Sequence, residues 1–313
     1  MDEHTGWAVH RPSTLAWVHR HLDAGERVVG SAPLPGGISA EMRTLTVAAR
    51  TGGTRALVLR SLPGTGRAAE PLTREADALT LLADHPRIRA PRLVAVDATA
   101  RRCEHPSLLM THLPGRAVLD DEGVADRVPL LARRLVEIHA VRPAARPPVF
   151  TTLTTADTVV PPEGADAEAW AAATDLLRDA VPHWTGRHLH RDVHPGNVLF
   201  GDGPRITGVV DWAAPSWGPA DLDVAHCATT LELLHGPGWG DRFTAAYTDA
   251  GGRLAVAARA RRYWRVRDAL AFSEDVHVVT RAWQGSGRPD LTPGTVGARL
   301  DGYVTALMTP PDG

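Results

Sequence analysis

Residues 188–200 read HLHRDVHPGNVLF. Asp192 and Asn197 stand five positions apart in it, on a polar stretch bearing Gly and Pro with apolar residues at both ends. The pattern is that of a loop running into a short strand, VLF at 198–200. A Gly-Asp-Gly turn at 201–203 then leads to RITGVVD, which ends at Asp211, so a β-hairpin is predicted. That hairpin would bring Asp192, Asn197 and Asp211 near one another. Phosphoryl transfer uses such a trio: one carboxylate takes the proton of an attacking hydroxyl, while an amide and a second carboxylate hold Mg²⁺ against nucleotide phosphates. The ion is hard, which suits oxygen donors, and an Asn adds a ligand without adding negative charge.

Before this stretch, Ser13 is a candidate N-cap for a helix over 13–22. Strands are predicted at 27–33, 42–50 and 55–61, with a turn at 51–53. A helix follows, with Thr73 as candidate N-cap and Ala76, Leu79, Leu82 and Ala83 on one face. RLVAVDA (92–98) and SLLMTHL (107–113) read as two more strands. Beyond 116 the texture changes. Val124, Val128, Leu131, Leu135 and Ile138 recur at helical spacing, and residues 141–165 are Pro-rich and aperiodic, a long loop. Helical patterns return at 166–180, 221–235, 238–250, 256–275 and 294–308. The class is α+β: a small β-rich lobe over 1–106, a hinge at 107–116, and a larger, mostly helical lobe over 117–313.

Composition narrows the function. The 313 residues are 43% hydrophobic with a formal net charge of −2, which gives no footprint for a polyanion such as nucleic acid. RARRYWRVR (259–267) is the one tempting basic run; at helical spacing it splits into a solvated Arg face and an apolar face. Two cysteines form no disulfide framework, the N-terminus lacks an apolar signal region, and no run is long enough for a membrane span, so a cytoplasmic protein is expected. The sequence contains no lysine, so every ammonium role falls to guanidinium.

The pattern H-x-D-x-x-x-x-N over 190–197, followed by an apolar strand and VVDW (209–212), resembles the aminoglycoside phosphotransferase and choline kinase-like family, which has a two-lobed protein-kinase-like fold. LPGGISAE (34–41) is similar to its nucleotide-covering loop, ALVLR (56–60) to its cation-bearing strand, and READALTLL (74–82) to the helix of the acidic partner. SLLMTHLPG (107–115) resembles the hinge, and RRLVEIHAV (133–141) the helix ending in Leu-x-x-Ile-His. The resemblance implies ATP and Mg²⁺ in a cleft and a small-molecule hydroxyl as acceptor. It assigns Asp192 as catalytic base or orienter, and Asn197 and Asp211 as magnesium ligands. Ser39 and nearby N–H groups would cap the phosphates. Adenine would meet the backbone at Thr111 and Leu113, beside Met110, and Glu75 would pair with the cation at position 60.

Two positions depart from the family. Arg60 stands where many relatives have Lys; its fork still suits phosphate oxygens. Arg191 stands where many have Gly. The DVA at 223–225 resembles a later Asp-Leu-Ala element, which gives Asp223 a supporting role. His139 and His226 read as core or boundary histidines. Three other readings remain: a choline- or sugar-like metabolite kinase, a nucleotide-binding module without turnover for which Arg60 speaks, and a zinc hydrolase built on His188, His190 and His194. The zinc reading leaves Asn197, Asp211 and the first lobe unexplained.

Overall fold

The computed structural model describes residues 11–34, 40–64, 69–152, 154–274 and 276–309. The chain divides into two units, Met1–Pro114 with Val210–Ala214, and Gly115–Val209 with Pro215–Gly313.

The first unit opens with helix α1 (Pro12–Arg20). Ser13 is not its cap. Arg11 holds that position and Pro12 is the first helical residue, where a missing N–H costs no bond. The orphan N–H groups of Ser13 and Thr14 are satisfied instead by the Glu104 carboxylate, at 2.6 and 2.8 Å. Strands β1 (Arg27–Pro33), β2 (Glu41–Ala48) and β3 (Thr54–Ser61) follow, then helix α2 (Ala69–Leu82), β4 (Leu93–Asp97) and β5 (Ser107–Thr111). They build one antiparallel sheet in the order β1-β2-β3-β5-β4. Leu45, Val47, Leu57, Leu59 and Leu109 pack from the sheet onto Trp17 and Val18 of α1. Helix α2 starts four residues before Thr73, whose hydroxyl donates back to the Ala69 carbonyl at 2.7 Å. Pro71 is tolerated because the first turn has no intrahelical N–H partner to lose. The buried face of α2 carries Glu75 along with Leu72, Ala76, Leu79 and Leu82.

The second unit starts with α3 (Val124–His139), which buries Val124, Val128, Leu131, Leu135 and Ile138, the face that the spacing predicts. Helix α4 (Ala167–Leu176) is capped by Asp166, which accepts from the N–H groups of Glu168 and Ala169. Four short strands follow: β6 (Gly186–Leu189), β7 (Val198–Phe200), β8 (Ile206–Val209) and β9 (Ser216–Pro219). β7 and β8 form the predicted hairpin, and β6 pairs with β9. The chain ends with α5 (Ala220–His235), α6 (Trp239–Asp249), α7 (Ala258–Ala271), α8 (Val276–Gly285) and α9 (Pro293–Met308).

Two of these elements depart from the sequence reading. β9, SWGP, is four residues with a Gly and a Pro and carries no strand signal. The predicted helix over 256–275 stops at Ala271, and α8 begins at Val276 in a β-branched run. The long loop is fastened: Trp217 N–H donates to the Pro148 carbonyl at 2.8 Å, Phe150 N–H donates to the Trp217 carbonyl at 3.1 Å, and Arg267 donates to the Thr154 carbonyl at 3.2 Å. Arg267 is thus buried, an exception to the solvated Arg face of α7. Helix α5 is buried along nearly its whole length and organises the core with α7 and α9. No helix among the described residues is long and apolar enough to cross a membrane.

Candidate active site

The chemistry-bearing loop leaves β6 at His190 and turns at Arg191, which has φ = +77°. That turn aims two consecutive N–H groups, of His190 and Arg191, at one carboxylate. Asp223 on α5 accepts them at 2.8 and 2.9 Å. Its third partner is His139 Nε2 at 3.2 Å, whose Nδ1 meets the Tyr247 hydroxyl at 2.7 Å. Asp223 is fully buried. Burial alone would raise its pKa; the hydrogen bond and charge of His139 and the charge of Arg191 outweigh it and hold the carboxyl at about 2.

With its entry fixed, the loop presents Asp192. The Asp192 N–H donates to His190 Nδ1 at 3.2 Å, and Gly196 N–H donates to His194 Nδ1 at 3.1 Å. A single 3₁₀ turn, Pro195–Asn197, returns the chain so that Asn197 Nδ2 donates both to the Asp192 carbonyl at 2.9 Å and to Asp192 Oδ2 at 2.8 Å. The other oxygen, Oδ1, accepts from His226 Nε2 at 3.0 Å, with His194 Nε2 at 3.6 Å. The Asp192 side chain is still 40% exposed. Desolvation opposes its ionisation, but the charge of His194 and the hydrogen bond from His226 hold the carboxyl well below the usual range.

His226 is a boundary histidine, 16% exposed, as its helical spacing allows, and both its ring nitrogens are engaged. It lies three residues beyond Asp223 on α5, between Asp192 and Asp268 Oδ1, the latter 3.2 Å from Nδ1. Burial would lower its pKa, and the two carboxylates, Asp268 first, push it up to about 10. The residue identity gives no sign of this in the sequence; the i, i+3 spacing from Asp223 is the only available signal.

In the first unit, Arg60 on β3 sits opposite Met42 and Leu108. Its Nη1 lies 2.8 Å from Asp211 Oδ1 and 3.2 Å from Glu75 Oε2. One guanidinium therefore serves two carboxylates. Burial, reinforced by the charge of Asp211 and opposed by Arg60, raises Glu75 to about 7. Asp211 has φ = +63° and is 40% exposed. Met110 is buried in β5 between Val58 and Leu93. Thr111 gives its N–H to the Arg92 carbonyl at 3.0 Å, so what it could offer a base is its carbonyl; Leu113 follows, half-buried and past the strand end. Ser39 lies outside the described residues.

Asn197 commits its NH₂ to Asp192. Asp211, in the first unit, keeps a partly accessible carboxylate, and oxygen donors of these two kinds are the types a hard cation takes. Among the described residues no group of three or more His, Cys, Asp or Glu is arranged to hold a metal ion. His190 and His194 turn Nδ1 onto loop N–H groups, so they brace the loop and the zinc reading loses its ligands.

The sequence model of the phosphotransferase enzyme family matches residues 35–264. A crystal structure of a putative aminoglycoside phosphotransferase from Ralstonia eutropha is 15% identical, with 95% of this chain and 96% of that one covered and a TM-score of 0.62. Spectinomycin phosphotransferase, in complex with ADP and spectinomycin, is 12% identical over 95% and 98% of the chains, with a TM-score of 0.61. A macrolide 2′-phosphotransferase from Brachybacterium faecium is 19% identical over 96% and 99%, with a TM-score of 0.56. At these identities the likeness shows the protein-kinase-like fold. No curated protein sequence matches the chain.

Proposed function

This chain belongs to the phosphotransferase enzyme family, and we propose that it moves the γ-phosphoryl group of ATP to a hydroxyl of a small molecule, using magnesium held by Asn197 and Asp211. The observation that carries this reading is the Asp192 carboxylate, ionised and engaged at both oxygens by Asn197 and His226, yet accessible. Asp192 accepts the hydrogen bond of the incoming hydroxyl and aligns its oxygen on the γ-phosphorus. The new O–P bond forms as the bond from phosphorus to the β–γ bridging oxygen breaks. The hydroxyl proton passes to Asp192 late, once the attacking oxygen has become acidic. Arg60 turns its fork to phosphate oxygens, oriented by Glu75. Thr111 and Leu113 offer backbone groups to adenine beside Met110, and Ser39 caps the phosphates. Magnesium, when bound, neutralises charge on the β- and γ-oxygens.

The acceptor we propose is an aminoglycoside-like or other natural-product antibiotic; a choline- or sugar-like metabolite is the alternative. A polycation favours a dense acidic surface. In the helical unit several carboxylates are spent internally: Asp223 on the catalytic loop, Glu232 on the Gly238 and Gly240 N–H groups, Asp290 on Arg288, and Asp301 on Trp170. Among such antibiotics, a neutral or weakly cationic acceptor fits that distribution better than a polycationic aminoglycoside. Arg60 keeps its pair with Glu75, so the missing lysine does not argue for a module without turnover.

ADP release measured against aminoglycosides, macrolides, amino alcohols and sugars tests the reading. One class should be turned over, and Asp192→Asn should lose about 10²-fold or more in kcat while keeping ATP affinity. Near-parental turnover in that variant would sink the assignment.

A further inference from the structure

The hydrogen bonds around Asp192 continue beyond the catalytic loop. His226 Nε2 reaches Asp192 Oδ1 at 3.0 Å, and His226 Nδ1 reaches Asp268 Oδ1 at 3.2 Å. Asp268 comes from α7, so helices α5 and α7 both bear on the catalytic carboxylate. One face of the imidazole is held as well, stacked on Phe272 with ring centroids 5.5 Å apart and an interplanar angle of 23°. On its third side, the His194 ring meets it edge-on at 6.0 Å. His226 and Asp268 are 16% and 11% exposed.

We propose that His226, braced by Asp268 and Phe272, is the positioning residue that fixes the rotation of the Asp192 carboxylate for phosphoryl transfer. This rests on the reading of Asp192 given above. A carboxylate bound only through Asn197 at Oδ2 can swing about that contact. A second donor on Oδ1, itself immobilised, removes the freedom. A swing of about 1 Å at a reacting group costs on the order of 10²-fold in rate, so the brace acts on turnover rather than on nucleotide affinity. His226 does not touch the reacting atoms; its effect passes through Asp192.

ATP hydrolysis, with water in place of the acceptor, reads the effect without a second substrate. Removing the donor by His226→Leu in an Asp268→Asn background strands no charge. We expect that double variant to lose at least about tenfold in kcat relative to Asp268→Asn alone, with KM for ATP within about twofold. His226→Gln, which retains an N–H donor, should stay within about threefold of the parent. If the double variant matches Asp268→Asn, or if His226→Gln falls as far as the double variant, the inference is overturned. Asp192→Asn run alongside separates the two ideas: parental hydrolysis there defeats the reading of Asp192 itself. Folding is controlled by NMR of the imidazole nitrogens in the intact chain. Both should carry protons at neutral pH, and Asp192→Asn should move the Nε2 resonance more than Nδ1; an unprotonated Nε2, or one indifferent to Asp192→Asn, refutes the contact.

Discussion

Arg191 adopts φ = +77°, a conformation that costs an L-residue roughly 1–2 kcal/mol and a glycine almost nothing. The strain is what turns the Arg191 N–H onto Asp223, so the position tolerates substitution but the conformation does not. Arg191→Gly should leave the melting midpoint equal or slightly higher, and Arg191→Val should lower stability by about 1–2 kcal/mol, since a β-branched residue fits this region worst. Thermal melts of the two variants decide it. Asp223 makes a pH-dependent contribution. Its folded pKa of about 2 lies below the ordinary value near 3.9, so the unfolded chain binds the proton more readily. The stabilisation is complete above about pH 5, amounts to roughly 2–3 kcal/mol, and is lost as pH falls from about 4 to 2. Stability followed down that range should show a shallower acid limb in Asp223→Asn, from a lower starting point. A limb identical to the parent's contradicts the assignment.

At the scale of elements, capping in this chain is done partly from a distance. Glu104 serves the first turn of α1, and desolvation is outweighed there by the hydrogen bonds from Thr14 and Ser13, which hold the carboxyl at about 2. Glu104→Ala should cost about 1–2 kcal/mol and raise hydrogen exchange within Pro12–Arg20 before it affects α3 or α5. Uniform exchange across all helices would mean that α1 is not stabilised locally by that carboxylate. The apolar face of α3 was legible because five residues at helical spacing leave one consistent stripe. α8 and β9 were not. VHVVTRAW has the β-branched content of a strand and becomes a helix because Val276, Thr280 and Trp283 bury one face. SWGP becomes a strand because β6 supplies its partner.

For the whole molecule, the proposed function requires ATP and magnesium to stabilise the folded chain together. At about 100 times the dissociation constant, a ligand adds about 2.7 kcal/mol. Thermal melts should therefore rise with ATP and magnesium, and a chelator should remove most of the increment. Asn197→Ala and Asp211→Ala should lose that increment, each read against its own melt without nucleotide. An equal rise in both variants would remove them from the metal assignment. Arg60→Met should behave differently, lowering the basal midpoint as well, because Glu75 and Asp211 would then face each other without their shared cation.

The α+β class and the family pattern could be read from the residue order alone, and the same pattern singled out Asp192, Asn197 and Asp211 as the residues proposed for phosphoryl transfer. These are local facts: Asp192 and Asn197 sit on one loop, and apolar spacing along each helix records which face is buried. The partners that stand behind them come from the folded chain. Asp223 as the clamp on His190 and Arg191, His226 between Asp192 and Asp268, and Glu104 on α1 join residues between 32 and 91 positions apart. A buried charge takes whichever donor the packing brings within reach, and that choice is made by the fold, since nothing in the local sequence favours one distant partner over another.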